Sequence, residues 1–242
     1  MTRDLVVVEA SGLHTADLSA VQERLDAFRK VADLIIHTET TDAHMAAFRA
    51  DGWGTYRVKE IVLHWRTSRL LAEETFPYRL TGIGWRVGRI SRDGVTAACG
   101  RFHDLDTDTK GVVYGLHWPS GLSRFLVRLR AWRGVQKALA ARVAKHGGHH
   151  ADHWQLAAGD TNVDHHRASI RKSMEKTLGM TDCWSGNVPR EGSHGKRLID
   201  AQFARGLKVV RARVLPKTDA SDHCAIAVRW HVDTNTGGHH GL

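Results

Sequence analysis

Apolar positions in the first forty residues predict three elements in succession. The β-branched run at residues 5–8 and the apolar run at 34–36 each predict a buried strand. Between them, apolar residues three or four positions apart predict a helix that Asp17 caps and that extends to about residue 30. In a strand–helix–strand unit, the carboxyl ends of two parallel strands meet at one edge of a sheet.

The rest of the chain continues with many strands and few long helices. Asp93 and Gly94 are typical of a hairpin turn, and the polar stretch at 104–110 predicts an exposed turn. Further strands are predicted at 55–58, 60–65, 83–89, 95–102, 112–117, 154–158, 196–200, 207–215 and 225–230. Helices are predicted at 42–50, at 123–145 with Gly147 and Gly148 as its stop, and at 166–178 with Gly179 as its end. This order favours two packed sheets with helices outside over a doubly wound parallel sheet.

Composition limits the class of protein. With 42% hydrophobic residues in 242 and no linker rich in Pro, Gly or Ser, we expect one domain over residues 1–232 and a flexible tail at 233–242. The net charge of +9, from 35 Lys and Arg against 26 Asp and Glu, favours polyanionic partners. Three cysteines without paired spacing argue against a disulfide framework or a zinc ribbon.

Neither a membrane span nor a secretory leader is visible in the sequence. No stretch approaches the roughly 18 uninterrupted apolar residues of a membrane span. The amino terminus also lacks a basic segment followed by a long apolar run. We therefore expect a cytoplasmic protein that is monomeric and has no membrane partner.

Two clusters of basic residues have open interpretations. The histidines at positions 146, 149, 150 and 153 are able to bind a soft metal, but the Gly pair among them disfavours a rigid helical site. Neither an acid nor a cysteine is expected to accompany them. The Arg-rich face of the helix at 123–145 is typical of a solvated surface, with a phosphate contact as the alternative.

Acids, amides and histidines recur where the predicted elements end. Carboxylate and amide oxygens are the ligands that suit Mg²⁺ or Mn²⁺, and a histidine paired with a carboxylate suits acid–base work near neutral pH. A cation, a His–Asp pair and a basic surface together fit phosphoester hydrolysis. The residues in these positions are Glu9, Glu39, His117, Asp160, Asn162, Asp200, Asp222 and His223.

The order and spacing of five short motifs resemble the endonuclease/exonuclease/phosphatase superfamily, the deoxyribonuclease-I-like fold. The motifs lie at residues 32–40, 115–117, 159–162, 198–200 and 221–223, and the resemblance extends from about residue 5 to 230. It implies a four-layered α/β sandwich, in which two mixed β-sheets pack face to face and are flanked by helices. The site would lie at one rim of the sandwich.

The resemblance also implies roles for individual residues. Glu39 would be the main ligand of Mg²⁺ (or Mn²⁺), with Glu9 and Asp222 contributing to the metal site. Asp160 and Asn162 would position the attacking water and the scissile phosphate. The remaining catalytic residues would be His223, Asp200 as the residue that holds its tautomer and charge, and His117 as in the deoxyribonuclease-like branch. The substrate phosphate would be contacted by Asn162, His117 and His223.

The chain departs from the family pattern at four places. Glu9 stands where the first strand of the family usually ends in an Asn, which puts an additional carboxylate at the metal site. That carboxylate would either tighten the metal while repelling phosphate, or mark a weakened or altered activity. In the other departures, Thr38 stands before Glu39 instead of Gln, Thr161 stands where Phe is more usual, and Ala201 and Gln202 follow Asp200 instead of an aromatic residue.

Three functions are compatible with these residues. The first is a divalent-metal-dependent phosphodiesterase that hydrolyses nucleic acid, with DNA favoured, because the chain is basic and carries eight tryptophans. The second is a phosphatase or phosphodiesterase for small or lipid phosphates with the same site. The third is a binding protein that keeps the scaffold without catalysis, which the retained acids and histidine disfavour. Endonuclease or exonuclease action, and DNA or RNA as substrate, stay open.

Overall fold

The computed structural model describes residues 4–11, 16–80, 95–118 and 130–233, with side chains in the helix that begins at Arg130 described from residue 136 onward. The strands are β1 (Leu5–Ala10), β2 (Leu34–His37), β3 (Trp53–Val58), β4 (Ile61–Arg66), β5 (Leu70–Arg79), β6 (Thr96–Asp104), β7 (Thr109–His117), β8 (Trp154–Asp160), β9 (Thr181–Asp182), β10 (Asp200–Arg205), β11 (Leu207–Val214) and β12 (Ile226–Val232). The helices are α1 (Leu18–Arg29), a 3₁₀ helix (Asp42–Phe48), α2 (Arg130–Gly148) and α3 (Ala168–Leu178).

The described strands form two six-stranded sheets. The first has the order β11-β12-β1-β2-β4-β3, and the second has the order β5-β6-β7-β8-β10-β9. Each sheet contains one parallel pair, β1 with β2 and β7 with β8, and the other described pairs are antiparallel. Both sheets are therefore mixed.

Three buried clusters hold four layers together. The cluster between the sheets joins residues such as Ile36 and Leu63 of the first sheet to Val113 and Leu156 of the second. A second cluster packs the outer face of β7 against α2 and α3. The third packs the outer faces of β1 and β2 against α1 and the 3₁₀ helix. The predicted four-layered α/β sandwich is thereby confirmed.

Most of the predicted elements are confirmed. The strand–helix–strand start is present, and the Asp17 side chain accepts a hydrogen bond from the Ala20 backbone nitrogen at 2.8 Å, as a helix cap does. Gly179 ends α3 in the left-handed conformation, with φ +65°. The short helix predicted at 42–50 is a 3₁₀ helix.

Strand β5 was missed because its pattern is irregular. A register shift between Ala72 and Glu74 interrupts the alternation of buried and exposed positions. Pro77 also argues against a central strand, but β5 is the edge of its sheet, where proline is tolerated. Edge strands with many exposed residues carry a weak hydrophobic signal.

Two further predictions were wrong at element boundaries. The strand expected at 196–200 was to end at Asp200, whereas β10 begins there. Helix α2 runs through Gly147 and Gly148 instead of stopping before them. The predicted strands also omit the short strand β9.

Some predictions fall on other parts of the chain. The strand at 83–89, the Asp93–Gly94 turn, the helix residues 123–129 and the tail from residue 234 lie outside the described residues. No helix in the described ranges has the length and apolar character of a membrane span.

Candidate active site

Sheet register brings three of the predicted site residues into one row. His117 at the end of β7 lies opposite Asp160 at the end of the parallel strand β8. Asp160 in turn lies opposite Asp200, the first residue of the antiparallel strand β10. Because β10 runs the other way, its start and the ends of its neighbours share one rim. Asp200 therefore lies at the same rim as Asp160, although its strand begins there instead of ending there.

The turn after β8 has a backbone that only particular residues adopt. Gly159 has φ +147°, and a Cβ atom there would lie 1.8 Å from the backbone oxygen of Leu116. Asn162 has φ +52°, which asparagine tolerates better than most residues. Its backbone N–H donates to Asp160 Oδ1 at 2.7 Å, and its Nδ2 donates to the Trp118 carbonyl at 2.7 Å. The Gly-Asp-Thr-Asn motif is thus a fixed turn.

His223 and Asp200 form a buried pair. His223 Nδ1 donates to Asp200 Oδ2 at 2.8 Å, which leaves Nε2 as the ring nitrogen available to a substrate. Burial opposes the charge on His223, but the hydrogen bond and charge of Asp200 outweigh it and raise the histidine pKa to about 9. Burial likewise opposes ionisation of Asp200, yet the hydrogen bond from His223 keeps its pKa below the usual value. The pair is therefore ionic at neutral pH.

Asp160 has a different environment from Asp200. Burial, followed by the charge of Asp200, raises the pKa of Asp160 to about 7. Ligand atoms of Asp160, Asp200 and His223 all lie within 4.8 Å of one another. A carboxyl group that titrates near neutral pH beside an imidazolium suits proton transfer.

His117 is surrounded by three carboxylates. Its Nδ1 donates to Glu60 Oε1 at 2.7 Å, while its Nε2 lies 3.7 Å from Glu39 Oε1 and 3.9 Å from Asp160 Oδ2. Burial lowers its pKa, but the hydrogen bond and charge of Glu60 outweigh that effect and raise it. Glu39 itself has φ +60° at the exit of β2. His117, in the second sheet, is thus contacted by Glu39 and Glu60, which lie at the ends of strands in the first sheet.

Glu9 is buried and incompletely satisfied. Ser11 Oγ donates to its Oε1 at 3.0 Å, while its buried Oε2 has no hydrogen-bond partner among the described residues. Burial, followed by the charge of Asp200, raises the pKa of Glu9 well above its usual value. An unpartnered buried carboxylate oxygen is the kind of donor that a cation satisfies. The donor set of the site therefore fits Mg²⁺ or Mn²⁺.

Asp222 is mostly exposed and lies beside His194. Its side chain is 63% exposed, and its Oδ2 lies 3.7 Å from His194 Nδ1. Its place in the metal site with Glu9 and Glu39 stays a prediction, as do the catalytic and phosphate-binding roles of the other residues.

Four residues near the site were not predicted. Arg24 had a detectable signal, since it lies in the same helical stripe as Val21, Leu25 and Phe28 and is buried with them. Its Nη2 donates to the His223 carbonyl at 3.3 Å, and its charge lowers the pKa of Glu9. The others, which gave no such signal, are Ser11, Glu60 and His194.

The histidine cluster near the end of α2 has neighbours other than a metal set. His146 Nδ1 forms a 2.7 Å hydrogen bond with the Tyr114 hydroxyl, and His153 Nδ1 forms one of 2.7 Å with Asp152. The expectation that no acid accompanies these histidines was wrong. In the described ranges, two groups place three ligand atoms within 4.8 Å of one another, and both contain His223.

Two six-stranded mixed sheets with helices outside and acids at one rim define a fold class. No protein-family model and no curated protein sequence matches the chain. Solved structures do match, and they establish that the chain has the fold of the endonuclease/exonuclease/phosphatase superfamily. The fold that the five sequence motifs implied is thereby confirmed.

Three of these structures illustrate the likeness. An endonuclease/exonuclease/phosphatase family protein from Bacteroides thetaiotaomicron has a TM-score of 0.73 and 16% identity over 95% of this chain and 98% of its own. D. rerio TDP2 complexed with single strand DNA product has a TM-score of 0.68 and 14% identity over 95% and 99%. A mannosyl-6-phosphatase from Bacteroides thetaiotaomicron VPI-5482 has a TM-score of 0.69 and 16% identity over 94% and 99%.

Proposed function

We propose that the protein is a divalent-metal-dependent phosphodiesterase that hydrolyses nucleic acid, with DNA as the favoured substrate. The observation that carries the proposal is the row of His117, Asp160 and Asp200 with the His223–Asp200 pair at 2.8 Å. A charged imidazole and a carboxyl group with a pKa of about 7 lie together at the rim, as hydrolysis of a phosphoester needs.

The cation would be held by Glu9 and Glu39, with Asp222 as a further candidate. Bound there, Mg²⁺ or Mn²⁺ would neutralise charge that develops on the phosphate. It would also compensate the unpartnered Glu9 Oε2. In the family that the motifs resemble an Asn usually stands here, so Glu9 adds a negative charge, and Arg24 lowers the pKa of Glu9 by its positive charge.

Four side chains have separate roles in the hydrolysis itself. Asp160 accepts a proton from water as the water oxygen forms its bond to phosphorus, and the leaving oxygen departs with the electron pair of its broken bond and takes a proton from solvent. Asn162, fixed by the Trp118 carbonyl, orients the water and the phosphate. His223 presents Nε2–H to a phosphate oxygen, because Asp200 occupies its Nδ1. His117, hydrogen-bonded to Glu60 and with a raised pKa, is a second histidine that contacts the phosphate.

Positive charge at the edge of the first sheet favours a polymeric substrate. Arg211 and Arg229 lie opposite each other on β11 and β12, and Arg213 follows toward the rim; all three are exposed. Neighbouring like charges repel, so a polyanion that binds both arginines relieves the repulsion. A similar structure, D. rerio TDP2, was solved with a single strand DNA product.

The second candidate is a phosphatase for a small phosphate ester. A mannosyl-6-phosphatase has the same fold, so the scaffold alone does not select the substrate. The two candidates differ in what the exposed arginines do, because a small ester held at the rim does not extend to the edge strand.

The test is hydrolysis of plasmid DNA, single-stranded DNA, RNA and a sugar phosphate, each with Mg²⁺ and with EDTA. We expect metal-dependent cleavage of DNA and its loss, by several orders of magnitude, in His223→Ala and Asp160→Ala. Asp108→Ala in the exposed turn between β6 and β7 is the matched control. Intact nucleic acids together with a hydrolysed sugar phosphate would favour the second candidate, and inert substrates throughout would indicate a binding protein.

Charge variants sharpen the choice of substrate. Arg211→Gln with Arg213→Gln is expected to raise KM for DNA and reduce its salt dependence, with little change for a small ester. An unchanged KM for DNA would contradict the role of this edge. Cytoplasmic location and a monomeric state belong to the proposal as well, and size-exclusion chromatography of the protein tests the second.

A further inference from the structure

A second cluster of metal-binding side chains lies beside the carboxylates of the proposed catalytic site. Ligand atoms of His194, Asp222 and His223 lie within 4.8 Å of one another. The rings of His194 and His223 are 4.5 Å apart between centroids, and His194 Nδ1 is 3.7 Å from Asp222 Oδ2. Glu9 and Glu39 are not members of this cluster.

The backbone fixes the position of His194. Two backbone hydrogen bonds close the loop that carries it. The His194 N–H donates to the Arg197 carbonyl at 2.9 Å, and the Arg197 N–H donates to the His194 carbonyl at 3.0 Å. Ser193 Oγ accepts from the Asp200 backbone nitrogen at 3.1 Å, and the Ser193 carbonyl accepts from the Cys224 nitrogen at 2.7 Å. His194 is thereby tied both to the start of β10 and to the segment that holds His223.

A hydrogen bond does not account for the cluster. The distance of 3.7 Å between His194 and Asp222 exceeds the normal range of about 2.7–3.2 Å. His194 Nδ1 is buried without a hydrogen-bond partner among the described residues, although the side chain as a whole is 40% exposed. His194 and Asp222 therefore lie close together without a hydrogen bond between them, and a cation bound by both would compensate these polar atoms.

The kinds of ligand select the kind of cation. Two imidazole nitrogens with one carboxylate suit Zn²⁺ and related transition metals, whereas all-oxygen sets suit Mg²⁺. Asp222 is 63% exposed, so its carboxylate has room to close on an ion. With Asp200 on Nδ1, the nitrogen that His223 offers to a metal is Nε2, the same atom that would face phosphate.

We propose that His194, Asp222 and His223 form a Zn²⁺ site whose occupation blocks the reaction. A zinc ion there engages Nε2 of His223 and removes its N–H from the phosphate. Zinc binding itself is independent of any activity, while the inhibition rests on the proposed function. His194 has no role in the Mg²⁺-supported reaction and serves zinc alone.

Zinc binding is measured directly, by competition with a chromophoric zinc chelator in excess Mg²⁺ on the full chain. We expect the tightest zinc site to weaken at least about 10-fold in His194→Ala. His150→Ala, in the separate histidine cluster, is the matched control and keeps that site. Co²⁺ as a spectroscopic probe should give visible absorption bands in the wild-type protein and in His150→Ala that His194→Ala lacks. Equal zinc affinity in all three proteins would overturn the proposal.

Hydrolysis assays test whether bound zinc blocks the reaction. Zn²⁺ titrated into the Mg²⁺ reaction should inhibit the wild-type protein and His150→Ala, while His194→Ala keeps its Mg²⁺-supported rate and resists zinc. Equal inhibition of His194→Ala would overturn the blocking role. If zinc binds as expected but no phosphoester is hydrolysed by any form, the proposed function fails and the site stands. His194→Gln, which keeps the size of the side chain, replaces His194→Ala if the latter does not fold.

Discussion

Glu9 and Asp200 are both fully buried carboxylates at the same rim, yet their surroundings differ. Asp200 accepts from His223 at 2.8 Å and from Ser11 at 3.1 Å, and its pKa is lowered. Glu9 accepts from Ser11 alone at 3.0 Å, keeps one oxygen without a described partner, and has a raised pKa. Equal burial therefore accompanies opposite pKa shifts, because His223 gives Asp200 a hydrogen bond and a positive charge, whereas Glu9 faces the negative charge of Asp200.

The difference separates two roles. A carboxylate that the protein itself satisfies is able to hold a neighbouring side chain in one orientation, as Asp200 holds His223. A carboxylate that the protein leaves unsatisfied needs a proton or a cation from outside. Glu9 belongs to the second kind, which is why it is the better reporter of metal binding.

The largest expected effect comes from Asp200→Asn. The amide no longer favours the charged imidazole or the required tautomer of His223, so kcat should fall about 10³- to 10⁴-fold. The measurement is steady-state hydrolysis of the best substrate with saturating Mg²⁺, with circular dichroism to check folding. Asp108→Asn at an exposed turn is the control, and a loss of less than tenfold in Asp200→Asn would remove Asp200 from its role.

Glu9→Gln should remove most of the stabilisation by metal. A cation present at about 100 times its Kd stabilises a protein by about 2.7 kcal/mol, or roughly 5–10 °C in Tm at this size. We expect such a Mg²⁺-dependent rise in the wild-type protein and less than half of it in the variant, measured by thermal denaturation. Glu74→Gln on the exposed edge strand should respond like wild type. An undiminished shift in Glu9→Gln would place the metal elsewhere.

The metal-free protein should show the raised pKa of Glu9 as a pH slope. The unfolded carboxyl group ionises near its usual pKa of 4.5, while the folded one still holds its proton, so the folded state binds more protons above pH 4.5. Stability is then lost as pH rises toward the folded pKa, by up to about 1.4 kcal/mol per pH unit from this group. Urea denaturation in EDTA should show Glu9→Gln gaining on wild type from pH 4.5 to 6.5. Parallel curves would contradict the shift.

Ser11→Ala should have the smallest effect and should act on both carboxylates. Its hydroxyl has one proton, which only one of Glu9 and Asp200 receives at a time, while Thr38 is a further close partner. Losing one such hydrogen bond costs about 1 kcal/mol, so kcat should fall about fivefold. Ser19→Ala, exposed on α1, is the control. An effect as large as that of Asp200→Asn would show that Ser11 does more than share its proton.

The sequence predicted the positions of the acids better than the boundaries of the strands. Asp160 was placed correctly because a short buried run leads directly into its turn. Asp200 was given the wrong end of its strand, since an apolar pair before an acid is compatible with a strand that ends or one that begins there. Only the pairing with β8 distinguishes the two, and pairing partners lie 40 positions apart in the chain.

Residues that act across the two sheets were the ones missed. Glu60, in the turn between β3 and β4, forms a hydrogen bond with His117. The ring of His194, in the loop before β10, lies against the ring of His223. Neither contact follows from local spacing, because each depends on how two distant segments pack. Arg24 is the exception, since a charged residue within an apolar helical stripe is visible in the sequence.

Because β10 begins at Asp200, the connection that precedes it carries His194 to the rim without belonging to a named strand. Its residues 185–187 and 195–197 are exposed, whereas Ser193, Leu198 and Ile199 are buried. We expect substitutions at the exposed positions to leave the pairing of β10 with β8, from Asp200 to Arg205, unchanged.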